Sequence, residues 1–108
     1  MSAIQSLTTL NALSPLDGRY QSKLDSLRPY FSEYALIKHR AWVEVEWLKE
    51  LSAAKDLAEI APFSAETIQE LDAAILNFSE ADAAQVNAIV ARTNHDVKAL
   101  EYWLKVKF

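Results

Sequence analysis

Cysteine is absent from this chain of 108 residues, which excludes disulfide stapling and thiolate metal sites. A reducing compartment accords with that, and the cytosol is the plain expectation. Glycine occurs once, at Gly18, and proline three times, at Pro15, Pro29 and Pro62; sharp turns are therefore few, and the chain reads as all-α. One glycine cannot build a Gly-rich phosphate loop, there is no Gly-x-Ser-x-Gly elbow, and two His without Cys do not make a zinc site. Positive charge is short as well, with Lys and Arg numbering 11 against 15 Asp and Glu, a net charge of -4. No overall positive field exists to gather nucleic acid or an anionic membrane, so any phosphate must be held by a few placed residues. Residues 1–14 lack a basic n-region, and nowhere do 18 apolar residues run together, so neither an export signal nor a membrane span is expected.

What is present is a globular balance, 51% hydrophobic and 24% charged, in a length that suits one domain spanning 1–108. Three Trp supply more large apolar surface than a core of this size needs, leaving some for a partner.

Ser14-Pro15-Leu16-Asp17-Gly18-Arg19-Tyr20 reads as a loop, because Pro15 holds Ser14 extended and Asp17-Gly18 is turn chemistry without the alternation of a hairpin. A short helix is expected over 20–27, stopping before Pro29. From Ser32 to Ala54 no Pro or Gly intervenes, and Tyr34, Ile37, Ala41, Val45, Leu48 and Leu51 recur at helical steps. Leu36, Val43 and Trp47 form a second apolar row, so this long helix is expected to be covered on two faces. Ser64 is placed to cap a helix over 65–77, with Ile68, Leu71, Ile75 and Phe78 on one side. Ser79-Glu80-Ala81-Asp82 resembles a capping box opening a fourth helix through Val86, Ile89 and Val90. A last helix is expected to start at Thr93-Asn94-His95-Asp96, capped by Thr93 and Asp96, and to run through Val97, Leu100, Trp103 and Leu104.

Two polar clusters could carry chemistry. In Asp17-Gly18-Arg19-Tyr20 the Arg fork suits phosphate or carboxylate, and Tyr adds a hydroxyl and a stacking face. An Arg-Tyr pair after a turn is more often a surface hinge with a half-buried aromatic. In Arg92-Thr93-Asn94-His95-Asp96-Val97-Lys98 a helix start offers N–H groups and partial positive charge to an anion, with Asn94, His95 and Lys98 as added donors. Simple capping with a solvated His95 accounts for the same residues. His39, between Lys38 and Arg40, reads as solvated or interfacial, and Glu33, Glu44, Glu46 and Glu50 as a solvated face.

Taken together and in order, Ser14 to Tyr20, Phe31-Ser32-Glu33-Tyr34-Ala35-Leu36, Val43-Glu44-Val45-Glu46-Trp47-Leu48 and Thr93-Asn94-His95-Asp96-Val97-Lys98-Ala99-Leu100-Glu101-Tyr102 resemble segments of bacterial adenylosuccinate lyases. That family lies within the fumarase/aspartase superfamily. The resemblance implies the amino-terminal helical domain of such an enzyme, without the central long-helix bundle. It implies β-elimination of fumarate from adenylosuccinate, giving AMP, and from succinyl-aminoimidazole-carboxamide ribotide, in purine synthesis. It implies no metal or organic cofactor, a nucleotide substrate and a homotetramer. By resemblance, Arg19 and Tyr20 bind the nucleotide end of the substrate, and Asn94, His95 and Asp96 bind substrate and help orient the general acid. The family's acid, a His of the next domain, and its base, a loop Ser, have no counterpart here, so no catalytic residue is assigned and this piece alone is expected to be inactive.

Two positions depart from the family pattern: Val90 stands where an acidic residue is expected, and Val106 interrupts a commonly charged helix end. Phe108 is an abrupt end for a self-contained domain, which points to a fragment. The contrasting reading is a freestanding helical interaction module without catalysis; a lyase acting on argininosuccinate is disfavoured by Thr93-Asn94-His95-Asp96.

Overall fold

The computed structural model describes residues 6–56, 59 and 61–108, and contacts divide the chain into two compact units, residues 1–32 and 33–108. Among the described residues all regular structure is helical, with no strand, as the scarcity of glycine and proline implies.

The first unit is a chain of turns. Thr8 and Asn11 exchange side-chain-to-backbone bonds, the Thr8 N–H donating to Asn11 Oδ1 at 2.6 Å and the Asn11 N–H to Thr8 Oγ1 at 3.3 Å, the local bonding that draws Thr and Asn to turns. The expected loop follows, with the Asp17 N–H donating to Ser14 O at 3.1 Å and the Tyr20 N–H to Pro15 O at 3.0 Å. Gly18 is buried and its φ is not positive, so left-handed backbone is not its use. Close approach is: a Cβ at this position would stand 2.9 Å from the Thr9 carbonyl oxygen and 3.3 Å from the Ala12 Cβ. The helix expected over 20–27 is instead two 3₁₀ turns, Gln21–Lys23 and Asp25–Leu27, and a further α-helical turn, α1 (Arg28–Phe31), includes Pro29. Proline is tolerated there because the first-turn N–H groups have no intrahelical acceptor to lose.

The second unit holds four helices: α2 (Glu33–Ala53), α3 (Ala65–Leu76), α4 (Glu80–Thr93) and α5 (Asp96–Lys107). Two of the three caps read from sequence form. Ser64 Oγ accepts from the Thr67 N–H at 3.1 Å, and Ser79 and Asp82 make the reciprocal bonds of a capping box. Ile37, Ala41 and Val45 of α2, Leu71 and Ile75 of α3, Phe78, Ala83 and Val86, and Leu100, Trp103 and Leu104 of α5 form one buried cluster. Trp103 meets the Phe78 ring edge-on at 5.3 Å between centroids, and its indole N–H donates to Gln85 Oε1 at 2.9 Å, so the burial of a polar aromatic is compensated. The one buried polar residue of the described core, Ser52, accepts from the Phe63 N–H at 2.6 Å, tying the approach to α3 back onto the end of α2.

Because α3, α4 and α5 all pack on α2 through the row containing Ile37, Ala41 and Val45, the second unit covers only one side of that helix. Leu36, Val43 and Trp47, expected to be covered, are 45%, 66% and 58% exposed. No helix among the described residues is long and apolar enough to cross a membrane.

Candidate functional site

The turn between α4 and α5 gathers Asn94, His95 and Asp96. Thr93 is the last residue of α4 rather than the cap of α5: its hydroxyl lies 3.1 Å from the Ile89 carbonyl, four residues back, and accepts from the His95 N–H at 3.4 Å. Asn94 then takes the left-handed conformation, φ 53° and ψ 34°, the one positive φ outside glycine among the described residues, which asparagine adopts more readily than most residues. Its N–H donates to Val90 O at 2.7 Å, closing α4. His95 is extended, φ -148° and ψ 114°, and is itself the cap of α5.

That cap uses an imidazole in place of the usual hydroxyl or carboxylate. The Lys98 N–H donates to His95 Nδ1 at 3.2 Å, so Nδ1 offers its lone pair, and in the neutral ring the proton sits on Nε2. His95 thereby presents an N–H donor at an exposed position. Expected as caps, Thr93 and Asp96 yield that role to His95 because α4 runs through Thr93, Asn94 closes it in the left-handed conformation, and α5 starts only at Asp96.

Asp96 is the first residue of α5, where a carboxylate complements the helix dipole. One of its oxygens, Oδ2, accepts from Arg40 Nη1 of α2 at 3.4 Å. Lys98, expected to face an anion together with His95, turns elsewhere: its ammonium pairs with Glu101 at 3.1 Å and lies 5.5 Å from the centre of the Tyr102 ring. Glu101 accordingly holds the Lys98 ammonium above its ordinary value, by hydrogen bond first and by charge second. Val90, at the position where an acidic residue is expected, packs against the buried cluster, while Val106 is 88% exposed on α5.

Arg40 lines two hollows, one among α2, α4 and α5 and one between α2 and α5. A water-sized cavity of about 20 Å³ lies among Ile37, Arg40, Asn87, Val90 and Asp96. An open cleft of about 310 Å³ is lined by Leu36, His39, Arg40, Val43 and Val97. His39, exposed as expected, donates from Nδ1 to the Ala35 carbonyl at 2.6 Å, since a carbonyl can only accept.

Arg19 and Tyr20 belong to the first unit and form a pair of their own, the guanidinium carbon standing 4.7 Å from the centre of the Tyr20 ring. Arg19 is exposed and Tyr20 is 39% exposed, and stacking of this kind presents the planar fork outward. Arg40 is the member of the second site that sequence reasoning missed, because its partner lies 56 positions away and nothing local marks the pair. Among the described residues no group of three or more His, Cys, Asp or Glu is arranged to hold a metal ion.

The turn therefore offers an amide, an imidazole N–H and a carboxylate with one oxygen engaged, on three consecutive residues held by α4, α5 and Arg40. Such a set can orient a polar ligand by several hydrogen bonds at once. No family model matches the chain. Comparison with curated proteins finds adenylosuccinate lyases: that of Haemophilus influenzae is 54% identical over 101 residues, 94% of this chain and 22% of that protein. Those of Vibrio cholerae and Escherichia coli are 54% and 52% identical over the same shares. The chain spans about 22% of the length of the curated relatives it matches, and over 94% of its own length it is similar to the amino-terminal region of adenylosuccinate lyases.

Proposed function

We propose that residues 1–108 are the amino-terminal domain of an adenylosuccinate lyase and supply part of its substrate-binding surface. The observation that carries this reading is the 54% identity to the Haemophilus influenzae enzyme over 101 residues, a span that includes both polar clusters. The reaction is β-elimination: a base takes the proton beside a carboxylate of the succinyl group, the carbon–nitrogen bond breaks, fumarate leaves, and an acid protonates the departing nitrogen to give AMP. The same chemistry applies to succinyl-aminoimidazole-carboxamide ribotide. Within this chain the work is positioning. Arg19 and Tyr20 bind the nucleotide end, the Arg19 fork matching a phosphate and the Tyr20 ring supporting it. Asn94, His95 and Asp96 bind the substrate near the reacting centre, His95 through the Nε2 proton that its capping bond leaves for the purpose, and help orient an acid contributed from outside this chain.

A cytoplasmic homotetramer requiring no cofactor accords with this reading. The test is to follow fumarate release from adenylosuccinate by the full-length protein and by residues 1–108 alone. Turnover by the former and none by the latter is expected. A full-length protein that leaves adenylosuccinate untouched, or that prefers argininosuccinate, overturns the assignment.

A further inference from the structure

We propose that Arg40 is a positioning residue for the 94–96 turn, fixing Asp96 and with it the approach of His95 to substrate; the inference rests on the function proposed above. Among the described residues, the bond from Arg40 to Asp96 is the one side-chain hydrogen bond by which residues 93–96 reach a helix other than α4 and α5. Every other side-chain bond of the turn is local. Thr93 reaches Ile89 and His95, and His95 reaches Lys98.

Both ends of the Arg40–Asp96 bond spring from anchored backbone. Arg40 adjoins Ala41, which is fully buried, and follows Ile37 by three residues, 5% exposed; Asp96 precedes Leu100, 1% exposed, by four residues on α5. Between these anchors the turn runs through one left-handed and one extended residue, closed by bonds within α4 and α5, none of which fixes it against α2. Arg40 supplies the pin. The contact is made at one carboxylate oxygen, Oδ2, which leaves Oδ1 for a ligand.

The pair also contributes little to folding. Side-chain exposures of 35% for Arg40 and 62% for Asp96 put it among surface ion pairs, whose net stabilisation is small. An arginine kept only for stability would be a weak choice here, whereas a small displacement of catalytic neighbours is costly in rate. Function and stability should thus separate cleanly in variants of Arg40.

The experiment is a double-mutant cycle in the full-length enzyme, with steady-state kinetics on adenylosuccinate and a thermal melt of each sample. Arg40→Met and Asp96→Ala are made singly and together, and Arg40→Lys tests rescue by charge. Expected are a kcat/KM about tenfold or more lower in Arg40→Met, with Tm near that of the parent and part of the loss recovered in Arg40→Lys. The double variant is expected to be no worse than Asp96→Ala alone, because Arg40 then has nothing to hold. Full multiplication of the two single losses overturns the proposal. So does parental kcat/KM in Arg40→Met, or a Tm loss there with kcat/KM per folded enzyme unchanged. Those results leave the proposed function standing, since each is read from turnover of adenylosuccinate. Parental kinetics in Asp96→Ala removes Asp96 from the site and overturns the proposal, while the turnover measured leaves the lyase assignment standing. If Arg40→Met does not fold, Arg40→Lys and Arg40→Gln complete the cycle with Asp96→Ala and are judged by the same outcomes.

Discussion

The hydroxyl of Tyr34 on α2 donates to the backbone carbonyl of Phe78 at 2.6 Å across 44 positions of sequence, while the two rings stack at 6.3 Å. Phe78 also carries the edge-on contact to Trp103, so one hydroxyl ties α2 to the bend between α3 and α4 at the centre of the core. Tyr34→Phe keeps the ring and removes the bond. A loss of about 1 kcal/mol is expected, read by urea denaturation as a lower midpoint at unchanged slope. An unchanged midpoint would mean that water replaces the hydroxyl at no cost.

His95 caps α5 through Nδ1 and is proposed to meet substrate through Nε2, and two substitutions separate the two roles. His95→Ala removes the Nδ1 acceptor of the α5 cap and should cost about 1 kcal/mol of stability. His95→Asn restores a good cap, so its melt should lie close to the parent's. In the full-length enzyme both variants should lose about a hundredfold or more in kcat/KM, since neither presents the imidazole N–H. Near-parental rates in His95→Asn would confine His95 to capping.

Arg19 is exposed in the first unit and stacks on Tyr20 without supporting buried structure. Arg19→Ala should weaken substrate binding about ten- to a hundredfold, as befits a lost charged hydrogen bond, with Tm close to that of the parent. A large fall in Tm with unchanged affinity would assign it to folding.

Gly18 is the reverse case. A methyl group there would stand 2.9 Å from the Thr9 carbonyl, and backbone cannot yield as a flexible side chain can. Gly18→Ala should cost about 1–3 kcal/mol in overpacking, confined to residues 1–32. Hydrogen exchange should quicken there and stay as in the parent over 33–108; uniform exchange rates in both forms would show that the loop absorbs the methyl.

The Lys49 ammonium is held above its ordinary 10.5 by hydrogen bonds to Asp72 first and Glu46 second, at 2.8 Å and 3.0 Å. A folded-state value raised in this direction stabilises the fold fully below pH 10.5 and ceases to do so as pH climbs through it. The Tm difference between parent and Lys49→Met should be constant up to about pH 10.5 and shrink above it. A difference that persists into stronger alkali would trace it to packing of the lysine stem.

Among the structural expectations, those carried by neighbours within a few residues were legible from sequence. Ser64 and Ser79 cap because the hydroxyl and the N–H it accepts from are three residues apart, and Ile37, Ala41 and Val45 share a face because helical geometry alone aligns them. The misreading at Thr93 arose in the same place: Thr93 and His95 are both able to cap, and the choice turns on whether Asn94 goes left-handed, which depends on where α4 and α5 pack. The role of Gly18 was hidden for a related reason, since Asp-Gly signals a turn but not that Thr9 lies against it.

By itself, the sequence determined an all-helical chain with the caps at Ser64 and Ser79 and its polar clusters, because these are settled by interactions along a few residues of backbone. The tertiary structure alone decided which side of α2 is buried, that His95 and not Thr93 caps α5, and that Arg40 meets Asp96. These depend on where packed helices bring distant residues, and side-chain identity carries no measure of that distance until the core has closed.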